Sequence, residues 1–312
     1  MNIHVITGQT ATGKTNQAIA LAKKINGELI NADSRQVYTK LNIVTGKDLP
    51  NDSRFTIAYE QNGKKLGWHT IDADHTIPIW LYDMQDPKLP FSSFDFRTCA
   101  LRAIADILSR GKTPIIVGGT YFYLSHLLYG VPTEDIPPNW EMRLFLSKLT
   151  VQELQTVLIK TDPDIFSTLN TSDRANPQRL IRKIEIASHL KKAGGSYPEY
   201  TRTYQSPFDA HQITFTALVH GSSEQLRTYI TKRVLTRIEQ GAVKEASSLL
   251  SEGYAADNPG LQAIGYQQIM SHLSGELSKE QMIEKWVQAE IAYAKRQHTF
   301  IKKDKNIAIE TV

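Results

Sequence analysis

The chain has 312 residues, 41% of them hydrophobic and 22% charged, and its formal net charge is +4. This composition is ordinary for a globular protein of one or two domains, and no apolar run is long enough to span a bilayer. The single cysteine, Cys99, excludes an internal disulfide framework and a cysteine zinc site. Because the first strand is predicted to begin almost at Met1, we expect no signal peptide and a cytoplasmic protein.

The first predicted elements enclose a glycine-rich loop. Residues 3–6 predict a short buried strand, and residues 16–24 predict an amphipathic helix. Between them, residues 8–15 (GQTATGKT) fit the phosphate-binding pattern GxxxxGK[ST], and this strand–loop–helix context supports a P-loop. In such a loop, backbone N–H groups and the helix N-terminus meet an anion, Lys14 adds a positive charge and Thr15 offers a hydroxyl to Mg²⁺. The stretch therefore predicts a site for a di- or triphosphate.

A second predicted strand, residues 28–33, ends in a carboxylate, Asp33. In a doubly wound sheet, ligands bind beyond the carboxyl ends of the strands, so we expect Asp33 and the P-loop to face one cleft. An aspartate at a strand end is equally suited to cap the following helix. The residues alone leave these two roles of Asp33 open.

Residues 51–76 predict a β-hairpin, with strands over residues 55–59 and 66–71 and an Asn-Gly turn at Asn62 and Gly63. A polar cluster lies at its end and could suggest a metal site. Since no further ligands stand at a recognisable spacing, we favour an exposed polar turn. The cluster consists of His69, Asp72, Asp74 and His75.

Strands and helices then alternate. An apolar strand over residues 77–82 ends at Asp83, and a helix over residues 96–108, capped by Ser92 or Ser93, carries Cys99 as an expected buried structural thiol. A buried strand over residues 113–117 ends in a Gly-Gly-Thr turn, and another helix follows. This alternation predicts an α/β fold with a parallel sheet flanked by helices.

The alternation stops at a proline-rich break over residues 130–138, after which the patterns are helical to about residue 192. Residues 196–210 predict a loop, and residues 213–219 alternate like a strand that rejoins the sheet. We therefore predict a P-loop-type core over residues 1–132 and 212–312, with an all-α insertion domain over residues 133–211. The remaining patterns predict helices over residues 223–251, 260–270 and 278–302.

On these features alone, a P-loop nucleotide kinase or NTPase is one interpretation. Such enzymes usually hold Mg²⁺ with an aspartate at the end of an apolar strand, and Asp83 stands at such a place. No arginine lid for a second nucleotide is recognisable, although Arg174, Arg179 and Arg182 cluster in the insertion.

Six stretches, distributed from one end of the chain to the other, point to a different chemistry. In chain order they are residues 8–15 (GQTATGKT), 33–38 (DSRQVY), 118–121 (GGTY), 176–180 (NPQRL), 263–267 (AIGYQ) and 294–297 (AKRQ). In this order and with these sequences, the chain resembles the tRNA dimethylallyltransferases, also called tRNA isopentenyltransferases.

The resemblance implies transfer of a dimethylallyl group from its diphosphate to the exocyclic amine (N6) of the adenosine 3′-adjacent to the anticodon. The P-loop then holds a prenyl diphosphate in place of ATP, with Mg²⁺ as cofactor on Thr15. The diphosphate is the leaving group, whose developing charge the loop would stabilise. The residues that the resemblance assigns to the diphosphate are Gly8, Thr10, Ala11, Thr12, Gly13, Lys14, Thr15, Arg179 and Arg233.

The resemblance also makes Asp33 the catalytic carboxylate that accepts a proton from the amine, with Thr120 facing the amine or a phosphate oxygen. The base would have to leave its stack to reach the site. The partners implied are dimethylallyl diphosphate and the anticodon stem-loop of tRNA. We expect the protein to be a monomer and to have no membrane partner. The predicted tRNA contacts are Asp33, Ser34, Arg35, Gln36, Thr120, Arg143, Gln178, Arg179, Arg182, Gln262, Ala263, Ile264, Gly265, Tyr266 and Gln267.

Three departures from the family pattern stand out. Residues 79–83 (IWLYD) replace a histidine-containing stretch of the HHLID type, the hairpin over residues 51–76 is longer than the usual connection, and residues 300–303 (FIKK) carry lysine where an arginine is usual. Weakened or altered specificity would be consistent with these departures. An alternative within the same chemistry is a prenyltransferase that acts on free adenylate.

Overall fold

The computed structural model describes residues 2–61, 64–131, 133, 135–195, 197, 208 and 212–312. It contains two compact units, one formed by Met1–Leu127 and Phe208–Val312 and the other by Leu128–Pro207. The predicted boundaries stand four to five residues further along the chain, and residues 132, 134 and 209–211 near them lie outside the described residues. The two units are described one at a time.

The larger unit is built on one sheet. Its strands are β1 (Ile3–Gly8), β2 (Gly27–Asn31), β3 (Thr56–Gln61), β4 (Lys64–Thr70), β5 (Pro78–Trp80), β6 (Thr113–Val117), β7 (Ile213–Val219) and β8 (Ala308–Thr311). Their order across the sheet is β3-β4-β5-β2-β6-β1-β7-β8. From β5 to β8 all neighbours run parallel, which confirms the predicted parallel sheet.

Hydrophobic helices cover the sheet, so β1 and β2 are buried almost throughout. The helices of the described residues are α1 (Lys14–Ile25), α2 (Ser93–Ser109), α3 (Tyr121–Tyr129), α4 (Trp140–Leu146), α5 (Val151–Thr161), α6 (Pro163–Ser167), α7 (Thr171–Arg174), α8 (Pro177–Ala193), α9 (Ser223–Glu239), α10 (Ala242–Ser251), α11 (Tyr266–Leu273) and α12 (Lys279–Lys303). None of the described helices is long and apolar enough to cross a membrane.

The sheet order brings three strand ends together at one edge. Because β2, β6 and β1 are parallel neighbours, their carboxyl ends lie side by side. The P-loop follows β1, Asp33 follows β2, and the Gly118-Gly119 turn follows β6. The motifs that are separated by up to 110 residues in the sequence are therefore neighbours in the fold.

The predicted hairpin is confirmed, since β3 and β4 pair antiparallel and β4 also pairs antiparallel with β5. Its Asn62-Gly63 turn lies outside the described residues. The expectation of an exposed polar turn at its end was wrong for two of four residues, because His69 is 6% exposed and Asp72 5%. Asp72 accepts hydrogen bonds from the backbone N–H groups of Thr76 and Ile77 at 2.8 and 2.7 Å. Within the described ranges, no group of three or more histidine, cysteine or acidic residues could hold a metal ion.

Three further predictions needed correction, and one strand was missed. The single helix over residues 223–251 is two helices, because Gly241 adopts a φ of 103° just before α10. The predicted helix over residues 260–270 is a 3₁₀ turn, Pro259–Gln262, followed by α11. Strand β8 was not predicted. All four of its residues are exposed, so its sequence does not need the alternation of apolar and polar residues that marks a half-buried strand. Cys99 is half-buried in α2 and not fully buried.

The smaller unit consists of helices α4 to α8, packed around a cluster of aliphatic side chains that includes Leu154, Leu158 and Ile184. Asparagine, threonine or aspartate side chains cap α4 to α8, as in the Thr150–Glu153 capping box of α5. Helix α8 ends at Gly194, which takes a left-handed conformation. The predicted loop over residues 196–210 lies outside the described residues except for Tyr197 and Phe208.

Candidate active site

The P-loop requires glycine at its first position. Gly8 has a φ of 144°, and a Cβ there would lie 2.2 Å from the carbonyl oxygen of Leu218 on β7. Gly13, with a φ of 79°, turns the chain directly into α1. The loop is therefore fixed against the sheet at one end, and its other end opens onto the helix N-terminus, which attracts anions.

The loop forms one wall of a cavity of about 170 Å³, which we call the P-loop cavity. Its lining residues are Thr10, Ala11, Gly13, Lys14, Thr15, Asn16, Asn31, Asp33, Gln36, Gly46, Asp48, Tyr82, Val117, Gly118, Gly119, Arg233 and Gln297. Most predicted diphosphate contacts of the larger unit are brought together here, including Arg233 from a distant helix. Gly8 and Thr12 do not line the cavity, because Gly8 ends β1 and the Thr12 hydroxyl donates to the Gln9 carbonyl at 2.8 Å.

Lys14 lines the P-loop cavity, where the negative charges of Asp33 and Glu290 only partly compensate its own charge. Its Nζ donates a hydrogen bond to the Gln9 carbonyl oxygen at 2.6 Å. Burial of the ammonium group and the positive charge of Arg233 lower the pKa of Lys14 to about 7. A bound anion would remove this penalty, so the cavity as it stands favours a negatively charged ligand.

Asp33 combines the two roles that the sequence left open. Its Oδ1 accepts a hydrogen bond from the Arg35 N–H at 2.8 Å, which caps the turn after β2. Its half-buried side chain also lines the P-loop cavity and a second cavity of about 330 Å³. The Asp33 carboxylate is therefore reachable from two sides.

The second cavity, which we call the arginine cavity, contains many of the predicted tRNA contacts. Burial and the negative charge of Asp33 raise the pKa of Tyr293, one of its walls, to about 12. Buried Glu290 approaches Arg237 at 3.7 Å. The residues that line the arginine cavity are Thr10, Asp33, Ser34, Arg35, Val44, Thr45, Arg233, Arg237, Gln262, Ala263, Ile264, Glu290, Tyr293 and Arg296.

Other predicted contacts of the larger unit have internal partners and line neither cavity. The Thr120 hydroxyl accepts a hydrogen bond from the Ser34 N–H at 3.0 Å. Tyr266 is fully buried and donates to Glu245 at 2.5 Å, and Gln267 donates to the Leu261 carbonyl at 2.9 Å. A Cβ at Gly265 would lie 2.6 Å from Val44. These residues shape the walls, and their predicted contacts with RNA stay predictions.

Gln297 is a site residue whose role the sequence did not indicate. Its Oε1 accepts from the Thr10 N–H at 2.9 Å, and its Nε2 donates to the Gly119 carbonyl at 2.9 Å. Gln297 thereby joins the P-loop to the turn after β6, and Gly119 has no side chain because a Cβ would lie 2.2 Å from Nε2. The AKRQ stretch was the signal that could have found it. Asn31, Asp48 and Tyr82 also line the P-loop cavity without having been predicted.

We expect the Gln297→Leu substitution to lower the free energy of unfolding by about 2 kcal/mol, because it leaves the buried Thr10 N–H unpaired and removes one of the donors to the Gly119 carbonyl. Pyrophosphate binding should weaken together with stability. Urea unfolding and calorimetry measure both quantities. Gln288→Leu, on an exposed turn of the same helix, is the matched control. Wild-type values for both quantities in Gln297→Leu would contradict this assignment.

Asp83, the aspartate on which a kinase interpretation depended, does not line the P-loop cavity. Its Oδ1 lies 2.5 Å from Lys47 Nζ, and its Oδ2 lies 2.9 Å from His69 Nε2. The carboxylates that do line the P-loop cavity are Asp33 and Asp48. The position of Asp83 therefore gives no support to a kinase-type metal site.

The donor set of the P-loop cavity fits a hard cation. The Thr15 hydroxyl and the carboxylates of Asp33 and Asp48 are oxygen ligands of the kind that Mg²⁺ prefers. Mg²⁺ commonly uses one or two protein ligands and takes the rest from substrate phosphates and water. The cavity could therefore hold Mg²⁺ only together with a phosphate ligand.

In the helical unit, the predicted contacts fall into two groups. Arg143 and Arg182 are engaged internally, since Arg143 forms a two-pronged pair with buried Glu185 at 2.7 and 2.6 Å and Arg182 reaches the same carboxylate at 3.2 Å. Gln178 and Arg179 are exposed in the first turn of α8, where Arg179 pairs with Asp173. To meet a phosphate, Arg179 would have to leave the partly exposed Asp173, whereas Arg143 and Arg182 would have to leave buried Glu185.

The chain matches the sequence models of two families. The model described as IPP transferase matches residues 66–304, and the model described as isopentenyl transferase matches residues 1–59. The chain is 34% identical to tRNA dimethylallyltransferase 2 of Citrifermentans bemidjiense, over 97% of this chain and 87% of that protein. It is 35% identical to tRNA dimethylallyltransferase of Staphylococcus haemolyticus, over 96% of this chain and 83% of that protein.

Solved structures give the same result. The full-length tRNA isopentenylpyrophosphate transferase from Bacillus halodurans superposes with a TM-score of 0.66 at 29% identity, covering 99% of this chain and 89% of that one. A eukaryotic dimethylallyltransferase described as acting on tRNA gives a TM-score of 0.76 at 28% identity, covering 99% and 73%. With a family model over most of its length and relatives above 30% identity over nearly all of it, the chain belongs to the tRNA dimethylallyltransferase family.

Proposed function

We propose that the protein transfers the dimethylallyl group of dimethylallyl diphosphate to N6 of the adenosine 3′-adjacent to the anticodon of tRNA, releasing diphosphate. The observation that carries this proposal is that Asp33 lines both the P-loop cavity and the arginine cavity. A donor bound on the P-loop side and an acceptor base entering from the arginine side would meet at one carboxylate.

The reaction breaks the C–O bond of the allylic diphosphate and forms a C–N bond to the exocyclic amine. An aromatic amine is a weak nucleophile, so a base within reach of its proton assists the attack, and Asp33 is the base in this mechanism. The bonding electrons of the C–O bond leave with the diphosphate. The proton passes from nitrogen to the Asp33 carboxylate.

The leaving diphosphate gains charge in the transition state, and the P-loop cavity presents positive groups to it. Lys14 and Arg233 line the same cavity as the loop N–H groups at the start of α1. Mg²⁺, held by Thr15 with Asp48 nearby, would neutralise part of the diphosphate charge. Arg179 in the helical unit is proposed as a further diphosphate contact.

Recognition of the acceptor requires a base outside its stack, because a paired or stacked adenine cannot present N6 to a cavity. Ser34, Arg35 and residues 262–264 of the arginine cavity are proposed to meet this base and its neighbours. Four residues of the helical unit are proposed to contact the anticodon stem-loop. They are Gln178, Arg179, and the two arginines that pair with Glu185, Arg143 and Arg182. We propose that the enzyme acts as a monomer in the cytoplasm.

The test of this proposal is a transfer assay with radiolabelled dimethylallyl diphosphate and one of three acceptors. These are unmodified tRNA, the same tRNA with guanosine at the reacting position, and AMP. We expect label in the first RNA alone, because guanosine lacks the N6 amine and AMP lacks the RNA contacts. Label in AMP would favour the free-adenylate alternative. ATP hydrolysis without any prenyl transfer would contradict both prenyltransferase hypotheses, the one with tRNA and the one with free adenylate as acceptor.

A further inference from the structure

A cavity of about 510 Å³ lies beside the hairpin and shares one lining residue, Asp48, with the P-loop cavity. It is walled by a chain of four polar side chains, which we call the Lys47 network: Ser53, His69, Asp83 and Lys47. Ser53 Oγ lies 3.2 Å from His69 Nδ1, and His69 Nε2 lies 2.9 Å from Asp83 Oδ2. Asp83 Oδ1 accepts from Lys47 Nζ at 2.5 Å.

Lys47 needs this network because its side chain is only 1% exposed. Its Nζ donates to the Tyr38 carbonyl at 2.7 Å and to Asn42 Oδ1 at 3.1 Å, in addition to Asp83. Burial lowers the pKa of Lys47, and the adjacent Asp83 charge opposes this shift. Asp83 is the only carboxylate within ion-pair distance of Lys47 in the described part of the chain, so loss of the Asp83 contact would leave the buried ammonium group without a counter-charge.

Lys47 belongs to the segment that forms a wall of the active site. Its two neighbours, Gly46 and Asp48, both line the P-loop cavity. The Gln36 amide, from the same cavity, donates to the Gly46 carbonyl at 2.8 Å. A Cβ at Gly46 would lie 2.9 Å from an Nη of Arg233, so the backbone of this segment lies directly against the diphosphate arginine. A displacement of Lys47 would therefore move this wall and the space around Arg233.

His69 holds the other end of the network from the hairpin. It lies in β4, where its backbone pairs with Ile79 of β5, and its ring lies 5.3 Å from that of Phe55. The imidazole is thus fixed in place by the sheet. Although burial acts to raise the pKa of Asp83, hydrogen bonding to His69 and the Lys47 charge hold it below its usual range.

We propose that His69 is a positioning residue for the prenyl-transfer site, and that the hairpin serves the active site through it. His69 fixes Asp83, Asp83 fixes Lys47, and Lys47 fixes the Gly46–Asp48 wall against Arg233. The proposal rests on the proposed function only in taking the P-loop cavity as the diphosphate site.

Two substitutions separate the bonds that His69 makes. In His69→Gln the amide nitrogen replaces Nε2 and can still donate to Asp83, whereas in His69→Asn the shorter side chain reaches Ser53 and not Asp83. His75→Gln is the control, because His75 lies at the exposed end of the same hairpin and pairs with Asp52 on the surface. The measurements are calorimetric binding of inorganic pyrophosphate, the KM for dimethylallyl diphosphate and the unfolding midpoint.

We expect His69→Asn to weaken pyrophosphate binding and raise the KM about 10-fold, with kcat changed less, as for other supporting residues of a binding site. His69→Gln and His75→Gln should remain near wild type. Wild-type binding by His69→Asn would overturn the proposal, as would equal impairment of the Asn and Gln variants, which would mark a packing role alone. If wild-type protein binds pyrophosphate but transfers no prenyl group, the proposed function fails and the His69 comparison can still be made.

Discussion

Asp33→Asn is expected to lower the rate of prenyl transfer by about 1,000-fold, within the range typical for loss of a general base. The amide keeps the shape of the side chain and can still accept from the Arg35 N–H, so the turn after β2 is retained. It cannot take a proton from the adenine amine. Single-turnover assays with saturating dimethylallyl diphosphate and unmodified tRNA measure the chemical step directly.

Asp48→Asn is the matched control, since Asp48 lines the P-loop cavity but not the arginine cavity. Loss of the Asp48 carboxylate should raise the Mg²⁺ concentration needed for half-maximal rate more than it lowers the rate at saturating Mg²⁺. Both variants should bind tRNA as tightly as wild type. If Asp33→Asn retained more than a tenth of the wild-type rate, the proton acceptor would have to be another group.

The parts of the fold that were predicted correctly depend on local signals. Strands β6 and β7 occupy the predicted residues because each is a short β-branched or aromatic run with clear boundaries. Helix α2 begins at Ser93 and is capped by Ser92, which forms a capping box with Asp95. By contrast, β8 is exposed and forms only because the edge of β7 is there to pair with it.

The site residues also divide into those that local sequence predicts and those that depend on distant partners. The geometry of the P-loop is encoded in its own eight residues, so its position after β1 could be predicted. The role of Gln297 could not, because its partners Thr10 and Gly119 lie 287 and 178 residues away in the sequence. The burial of His69 was missed for a different reason, because it depends on the pairing of β4 with β5, which brings Asp83 to the imidazole. One family departure gains a physical context: Asp83 ends the stretch without the usual histidine, and a hairpin imidazole contacts it instead.

The second large effect is expected in the affinity for diphosphate, which should depend on pH through the protonation of Lys14. Its pKa in the free protein is about 7, and a bound diphosphate favours the ammonium form and raises this value. Below pH 7 the lysine is protonated both before and after binding, so the affinity there carries no contribution from its titration. Above pH 7 the lysine must take up a proton on binding, so the affinity should fall by up to about 10-fold per pH unit.

Calorimetry with dimethylallyl diphosphate in the absence of RNA, in two buffers of different ionisation enthalpy, counts this proton. At pH 8 most of Lys14 is neutral in the free protein, so up to about one proton should be taken up per molecule bound. Terminal phosphate groups titrate near pH 6, so the ligand itself contributes little at this pH.

Two variants assign the proton to Lys14. In Lys14→Arg the guanidinium is protonated at every pH tested, so the uptake should vanish while a positive charge remains in the cavity. In Lys14→Met the uptake should vanish and the affinity at pH 7 should fall about 100-fold, since a charge-assisted hydrogen bond to the diphosphate is lost. Proton uptake that persists in Lys14→Arg would show that another group titrates. Its absence from wild type would mean that Lys14 is already charged before the diphosphate arrives, and that the P-loop cavity is more open to water than its walls suggest.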